Sequence, residues 1–386
     1  MRKTNCLLLV AVFSWGLFSI SAFGAEKEDV QKAKKPARPA IELAILIDTS
    51  GSMSGLINQA RTQIWKIVNE LATARQNGQI PEMKVALYEY GKSSLSASEG
   101  YLQQIVPLTD DLDTLSEKLF ALKTNGGEEY CGQVIQAATN GLKWSNNDTD
   151  LKLIFIAGNE PFTQGTIDYK KACAAAIKKG ITVNTIFCGD EAEGIRTNWK
   201  AGAMLADGAF MSINQNRQVA TIKTPYDAEL NKLGASVNKT YLFYGEHFER
   251  KKAMKNQYAA DSSAKQAAPA AHAARAAFKG SGRYRAKNDL IDALADKKVK
   301  LKEIKEDELP QELKKLNKKE REVYVAKKQK ERTAIQNKIQ ELNKKRNRYI
   351  AEQRKKDASK KGETFDTAVL KAIRTQAAKK KFNFKK

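Results

Sequence analysis

The sequence predicts a doubly wound α/β domain with a mostly parallel sheet, followed by a largely α-helical, basic C-terminal region. Three observations lead there. Apolar strand-like runs alternate with amphipathic segments as far as Phe210, the first such run ends in Asp48-Thr49-Ser50-Gly51-Ser52, and charge is divided sharply along the chain. The 386 residues carry 67 Lys and Arg against 44 Asp and Glu, a net charge of +23. Residues 250–386 hold 41 of the basic and 17 of the acidic residues, a balance of +24, which leaves the remainder at −1. The near-neutral part reads as a folded domain and the basic part as an extended, solvated helical region.

At the start, Arg2 and Lys3 precede an uncharged stretch from Cys6 to Ala25 that ends in small residues. Residues 1–25 therefore read as a signal peptide cleaved after Gly24 or Ala25, which implies a periplasmic or secreted protein. An uncleaved anchor is the alternative, since roughly 20 uncharged residues just span a bilayer. Residues 26–40, with repeated Lys and with Pro36 and Pro39, read as a polar linker.

The domain is expected over residues 41–245. Ile41 to Ile47 reads as a buried strand, and Leu56 to Gln76 keeps Leu56, Ile57, Ala60, Ile64, Ile67, Val68 and Leu71 at helical spacing. Lys84 to Tyr90 and Leu102 to Leu108 read as strands, Asp111 to Leu122 and Cys131 to Trp144 as helices. Leu151 to Ala157 and Ile181 to Cys188 read as buried strands joined by a helix over Tyr169 to Lys179. Strands separated by helices of this length form a parallel sheet covered on both faces. Ligands then bind outside the carboxyl ends of the strands, where Asp48 falls.

After Gly245 the composition shifts to Ala, Lys and Gln, and residues 246–285 read as a linker, helical in part. The basic helical region is expected over 286–386, with one helix over 286–305 and one long helix from Pro310 to Lys356. Ile335, Ile339, Leu342 and Tyr349 make a three-four seam that Arg346 interrupts, and Leu313, Leu316 and Val323 make another in a different phase. Such short seams favour coiled-coil-like packing on another helix or on the domain over a long dimer.

Asp48, Ser50 and Ser52 alternate along a tight Gly-containing turn, so three hard oxygen ligands converge above a strand end and suit Mg²⁺, Ca²⁺ or Mn²⁺. A plain β-to-α turn capping the next helix is the alternative. This Asp-x-Ser-x-Ser pattern resembles the first motif of the metal-ion-dependent adhesion site in von Willebrand factor type A domains. Ile181 to Gly189 and Trp199 to Phe210 are similar to the fifth strand, last helix and sixth strand of that family, so the resemblance spans residues 41–215. Thr224 to Gly245 resembles an extension of exported bacterial members. The resemblance implies that a Gly-Gly-Thr loop and an Asp after the fourth strand complete the site. Here Glu128 stands at the Thr position, Gly158 at that of the Asp and Asn159 at that of the Gly. Asp48 with Glu128 keeps two carboxylates, so the expected metal ligands are Asp48, Ser50, Ser52 and Glu128. Thr124, Asn159 and Glu160 stand around them, Glu160 acting through water. The family leaves one metal position open for a partner's carboxylate, and Glu128 is expected to fill it from within, so that the site either binds ligand only when the Glu128 loop swings away or holds a purely structural ion.

Cys131, Cys173 and Cys188 follow the signal segment. A Cys131–Cys188 bridge at the top of the sheet is expected, with three buried free thiols as the alternative. No catalytic constellation appears. His247 and His272 lack a base partner in the pattern, and there is no Cys-x-x-Cys, phosphate-binding loop or zinc-helix motif. The reading is a non-enzymatic, exported module that recognises a protein through a modified divalent-metal site, its basic region contacting an acidic protein, an anionic envelope polymer or lipid head groups. The alternative is a self-assembling structural scaffold with a degenerate, metal-free site. Nucleic acid is disfavoured, because export argues against it and Tyr324 and Tyr349 are too sparse for stacking. The sequence does not fix the oligomeric state.

Overall fold

The first strand, β1 (Ala40–Asp48), is buried along its whole length, which a strand achieves at the centre of a sheet covered on both faces. The computed structural model describes residues 38–213, 222–267, 269–281, 284–358 and 365–384, so the expected signal peptide lies outside the described residues. The elements run α1 (Ile57–Leu71), β2 (Ala74–Gln76), β3 (Glu82–Tyr90), β4 (Leu102–Thr109), α2 (Leu112–Ala121), α3 (Cys131–Gly141), β5 (Leu151–Gly158), α4 (Tyr169–Lys178) and β6 (Ile181–Phe187). They continue through α5 (Glu191–Arg196), α6 (Trp199–Leu205), β7 (Phe210–Ser212), α7 (Asp227–Asn238), α8 (His247–Ala267) and α9 (Pro269–Gly280). The last are α10 (Leu290–Ala295), α11 (Gln311–Lys314), α12 (Lys318–Ala358), α13 (Phe365–Lys379) and β8 (Phe382–Phe384).

Six strands form one sheet in the order β4-β3-β1-β5-β6-β7. Only the edge strand β4 is antiparallel to its neighbour; the other pairs are parallel. Side chains alternate across β1 as the strand period requires. Ile41, Leu43, Ile45 and Ile47 enter a core shared with α1 and α2, while Ala44 and Leu46 enter a second core with α3 and α4. The order places β1 between strands reached by crossovers in opposite directions, the crevice position of such sheets.

Residues expected to be a linker form α8 and α9 instead. Alanines bury these helices where larger apolar side chains usually do, with Ala260, Ala264, Ala273 and Ala276 all inside. A charge cluster holds the pair. Arg275 reaches Asp113 at 2.6 Å and also bonds Asp261, Lys279 reaches Asp261 at 2.5 Å, and the Tyr284 hydroxyl donates to Asp113. These neighbouring cations hold Asp261 down to about 2 against the opposing effect of burial. Lys279 is itself pushed down to about 8, because burial and Arg275 outweigh its pairing with Asp261.

The single helix expected over 286–305 is not formed; only Leu290–Ala295 is α-helical there. The long helix starts at Lys318 rather than Pro310. Asn317 and Glu320 exchange side-chain-to-amide bonds at 3.0 and 2.8 Å, a reciprocal cap that defines the start. Val325, Arg332, Ile339 and Arg346 are buried at seven-residue intervals along α12. Arg332 bonds Asp289 at 2.6 Å and Asp292 at 3.0 Å, and Arg346 bonds Asp227 at 2.8 Å. Arg346, expected to interrupt the seam, is part of it through its acid partner, and α12 packs on α7 and α9 of its own chain.

The helix expected to reach Gln76 stops at Leu71, and Ala74–Gln76 pairs antiparallel with Phe382–Phe384 at the far end of the chain. Helix α13 brings this strand back by packing Val369, Ile373 and Ala377 into the core beside α1. No helix among the described residues is long and apolar enough to cross a membrane.

Candidate metal centre

Strand register sets the floor of the site. Asp48 lies opposite Tyr90, and Ile47 opposite Ala157, so β1, β3 and β5 end at one level. The chain then turns back on itself. The Thr49 amide donates to the Tyr90 carbonyl at 2.8 Å, and the Ser50 amide to Asp48 Oδ1 at 2.7 Å. This turn sets the Ser50 and Ser52 hydroxyls 2.9 Å apart, and Ser52 donates to Asn159 Oδ1 at 3.0 Å. Asp48, Ser50, Ser52 and Asn159 are thus linked in one chain of contacts.

Asp48 Oδ2 is buried without a hydrogen-bond partner. Burial pushes this carboxyl up to about 7, with Glu129 adding to the rise and the Ser50 and Asn159 contacts opposing it. Glu129 is also pushed up to about 7, by burial first and then by Glu160, against a hydrogen bond from Ser50.

Of the two adjacent glutamates it is Glu129, rather than the expected Glu128, whose side chain is buried near Asp48. Glu128 is exposed and accepts from Gln164 Nε2 at 3.3 Å. The Glu129 backbone decides this, since its amide donates to Gln164 Oε1 at 2.9 Å and its carbonyl accepts from the Cys131 amide at 3.1 Å. With the backbone held on both sides, the side chain of 129 is buried. Nothing in the local pattern distinguishes two adjacent glutamates; the distant Gln164 does. Thr124 is half-buried in the same loop, which the Asn125 amide ties to the Thr49 carbonyl at 2.9 Å. Glu160 is half-buried, and its carbonyl accepts from Trp199 Nε1 at 2.8 Å.

Two glycines make the space. Gly91, at φ +80, has a backbone that L side chains rarely adopt, and a Cβ there would lie 2.7 Å from Asp48 Oδ1 and 2.9 Å from Glu129 Cγ. Gly158 has no room either, since a Cβ would lie 2.5 Å from the Tyr90 hydroxyl and 3.0 Å from the Trp199 ring. The carboxylate missing at 158 is thus excluded by Tyr90 and Trp199, which fill its place.

The Cys131–Cys188 bridge is not formed, and Cys131, Cys173 and Cys188 are buried free thiols. The sheet separates them: Cys188 packs in the core beside α1, Cys131 and Cys173 in the core beside α3. The Tyr90 hydroxyl approaches Cys131 Sγ at 3.8 Å.

Asp48, Ser50, Ser52, Glu129 and Asn159 offer only hard oxygens, a donor set suited to Mg²⁺, Ca²⁺ or Mn²⁺. The unpartnered Oδ2 marks where a cation would sit. Among the described residues no group of three His, Cys, Asp or Glu side chains is arranged to hold a metal, so hydroxyls are needed to complete any shell.

Residues 42–199 match the family model of the von Willebrand factor type A domain. No curated protein sequence matches the chain. Similar solved structures include the VWA domain of SpRpn10, at 19% identity and a TM-score of 0.36, covering 47% of this chain and 91% of that one. Another is the conserved hypothetical protein BatB from Bacteroides thetaiotaomicron, at 17% identity and 0.34, covering 45% and 91%. A third is proximal thread matrix protein 1 from the mussel byssus with a zinc-occupied MIDAS motif, at 11% identity and 0.34, covering 47% of this chain and 43% of that one.

Proposed function

Because residues 42–199 of this chain form a von Willebrand factor type A domain, a type that mediates protein–protein interactions, we propose that it is an exported, non-enzymatic binding module. It recognises a protein partner at the top of the sheet through a modified divalent-metal adhesion site. The ligands are Asp48, Ser50 and Ser52, with Glu129 supplying the second carboxylate that Gly158 omits. Glu129 also occupies the position that a partner's acid takes elsewhere in the family, so an acidic partner gains access only when the 124–130 loop moves aside.

The observation that carries this reading is the buried, unpartnered Oδ2 of Asp48. Leaving a buried carboxylate oxygen unsatisfied costs free energy that a bound cation removes. The alternative of a self-assembling scaffold loses its main support, because the α12 seam is used on the chain's own α7 and α9.

Thermal unfolding of the metal-stripped chain with added Mg²⁺, Ca²⁺ or Mn²⁺ tests the proposal. At least one ion raises Tm, by the equivalent of about 2.7 kcal/mol at a hundredfold excess over Kd. Asp48→Ala removes that shift. No shift with any ion into the millimolar range contradicts a working site.

A further inference from the structure

Helix α8 buries Ala253, Asn256, Gln257, Ala260 and Ala264 against the body and turns its other side outward. On that side Phe248 is 72% exposed, Tyr258 56% and Met254 41%. Lys251, Lys252, Lys255 and Lys265 are exposed between and beside them. Phe248, Lys251, Lys255 and Tyr258 follow the three-four spacing of one helix face. The helix's acids do not neutralise this face. Glu249 pairs with Lys287 at 3.3 Å, and Asp261 is taken by Arg275 and Lys279.

We propose that this face docks on an anionic lipid surface. Large apolar side chains interleaved with lysines suit an interface in which rings enter the head-group boundary and ammonium groups stay with the phosphates. Each Lys near such a surface adds attraction that salt weakens. From Phe248 to Lys265 the face extends about 26 Å along the helix. The neighbouring cavity of about 480 Å³ does not select an anion, since carboxylates outnumber cations in its lining. The anionic contact therefore belongs to the helix face.

The placement sets the helix apart from the metal centre. Strand β4 runs antiparallel to β3, so Thr109 lies at the end of the sheet opposite Asp48. Asn256 of α8 donates to Thr114 in the first turn of α2, which follows that end, at 2.9 Å. Helix α8 thus contacts the end of the fold opposite the Asp48 turn. The inference does not depend on a bound metal.

The test is co-sedimentation of the full chain with phosphatidylglycerol/phosphatidylcholine vesicles and with phosphatidylcholine alone, in chelator, over a range of salt. Chelator removes divalent bridging and separates this test from that of the metal centre. Binding to the anionic vesicles exceeds binding to the neutral ones at least tenfold at low salt, and the excess falls as salt rises. Lys251→Glu/Lys255→Glu abolishes the excess without changing the circular-dichroism melting curve, and Phe248→Trp shows a blue-shifted emission with anionic vesicles only. Equal binding to both vesicles, or an excess that survives the double substitution, overturns the proposal. So does lipid-free association of the chain that the double substitution disrupts, since the face would then join two copies.

Discussion

Asp48 accepts the Ser50 amide on Oδ1 at 2.7 Å and leaves Oδ2 buried without a partner. On the proposed function, that second oxygen is the one a cation would take. Replacing Asp48 with Asn keeps an oxygen for the Ser50 amide and removes the buried charge. Asp48→Asn is expected to raise the stability of the metal-free chain by about 1–3 kcal/mol and to abolish stabilisation by divalent ions. Urea unfolding with and without chelator reads both effects.

Gly158 accounts for the most visible departure from the family pattern. Gly158→Asp, which restores the expected carboxylate, is expected to destabilise by about 1–3 kcal/mol or more, because Tyr90 and Trp199 fill the space. It does not tighten metal binding. Denaturation midpoints and metal titration of the variant check the two parts.

Most strands and helices up to Phe210, though not β2 or α5, were legible because their apolar periods of two and 3.6 persist over whole elements. The regions beyond were less so, for particular reasons. Helices α8 and α9 bury alanines, and a segment of Ala and Lys without large apolar residues resembles a linker in composition. Strand β8 is three residues long and pairs with β2 across most of the chain, so neither carries a local signal. Arg346 looks like a break in a seam until Asp227 is found opposite it. At the site, Asp48, Ser50, Ser52 and Asn159 were legible from the turn motif. The inward turn of Glu129 was not, because it depends on Gln164.

A buried polar pair adds to the apolar packing and strand pairing that hold the C-terminal return. Asn184 Nδ2 donates to Gln376 Oε1 at 3.1 Å, and Gln376 Nε2 to Asn184 Oδ1 at 2.6 Å. Gln376→Ala leaves Asn184 Nδ2 without its partner inside the protein, while Oδ1 keeps the Ala209 amide, at a cost of about 1–3 kcal/mol. Amide exchange along α13 and β8 is expected to accelerate in the variant.

Acid stability depends on Asp261, held at about 2 although burial alone would raise it, because Arg275 and Lys279 prefer its charged form. Its folded value lies below its unfolded one. The stabilisation is therefore fully present above about pH 4 and is lost as pH falls toward 2, with a magnitude on the order of 2 kcal/mol. Asp261→Asn, with its neutral side chain, flattens this part of the stability–pH curve. Chemical denaturation between pH 2 and 6 on both proteins measures the difference.

The proposed metal centre depends on which of the two glutamates serves it. Calorimetric titration of Mg²⁺, Ca²⁺ and Mn²⁺ into the metal-stripped wild type, Glu128→Gln and Glu129→Gln decides it. Saturable binding that survives in Glu128→Gln and weakens at least tenfold in Glu129→Gln is the predicted result. The reverse order, or binding indifferent to both substitutions, contradicts a metal centre built from Asp48, Ser50, Ser52 and Glu129.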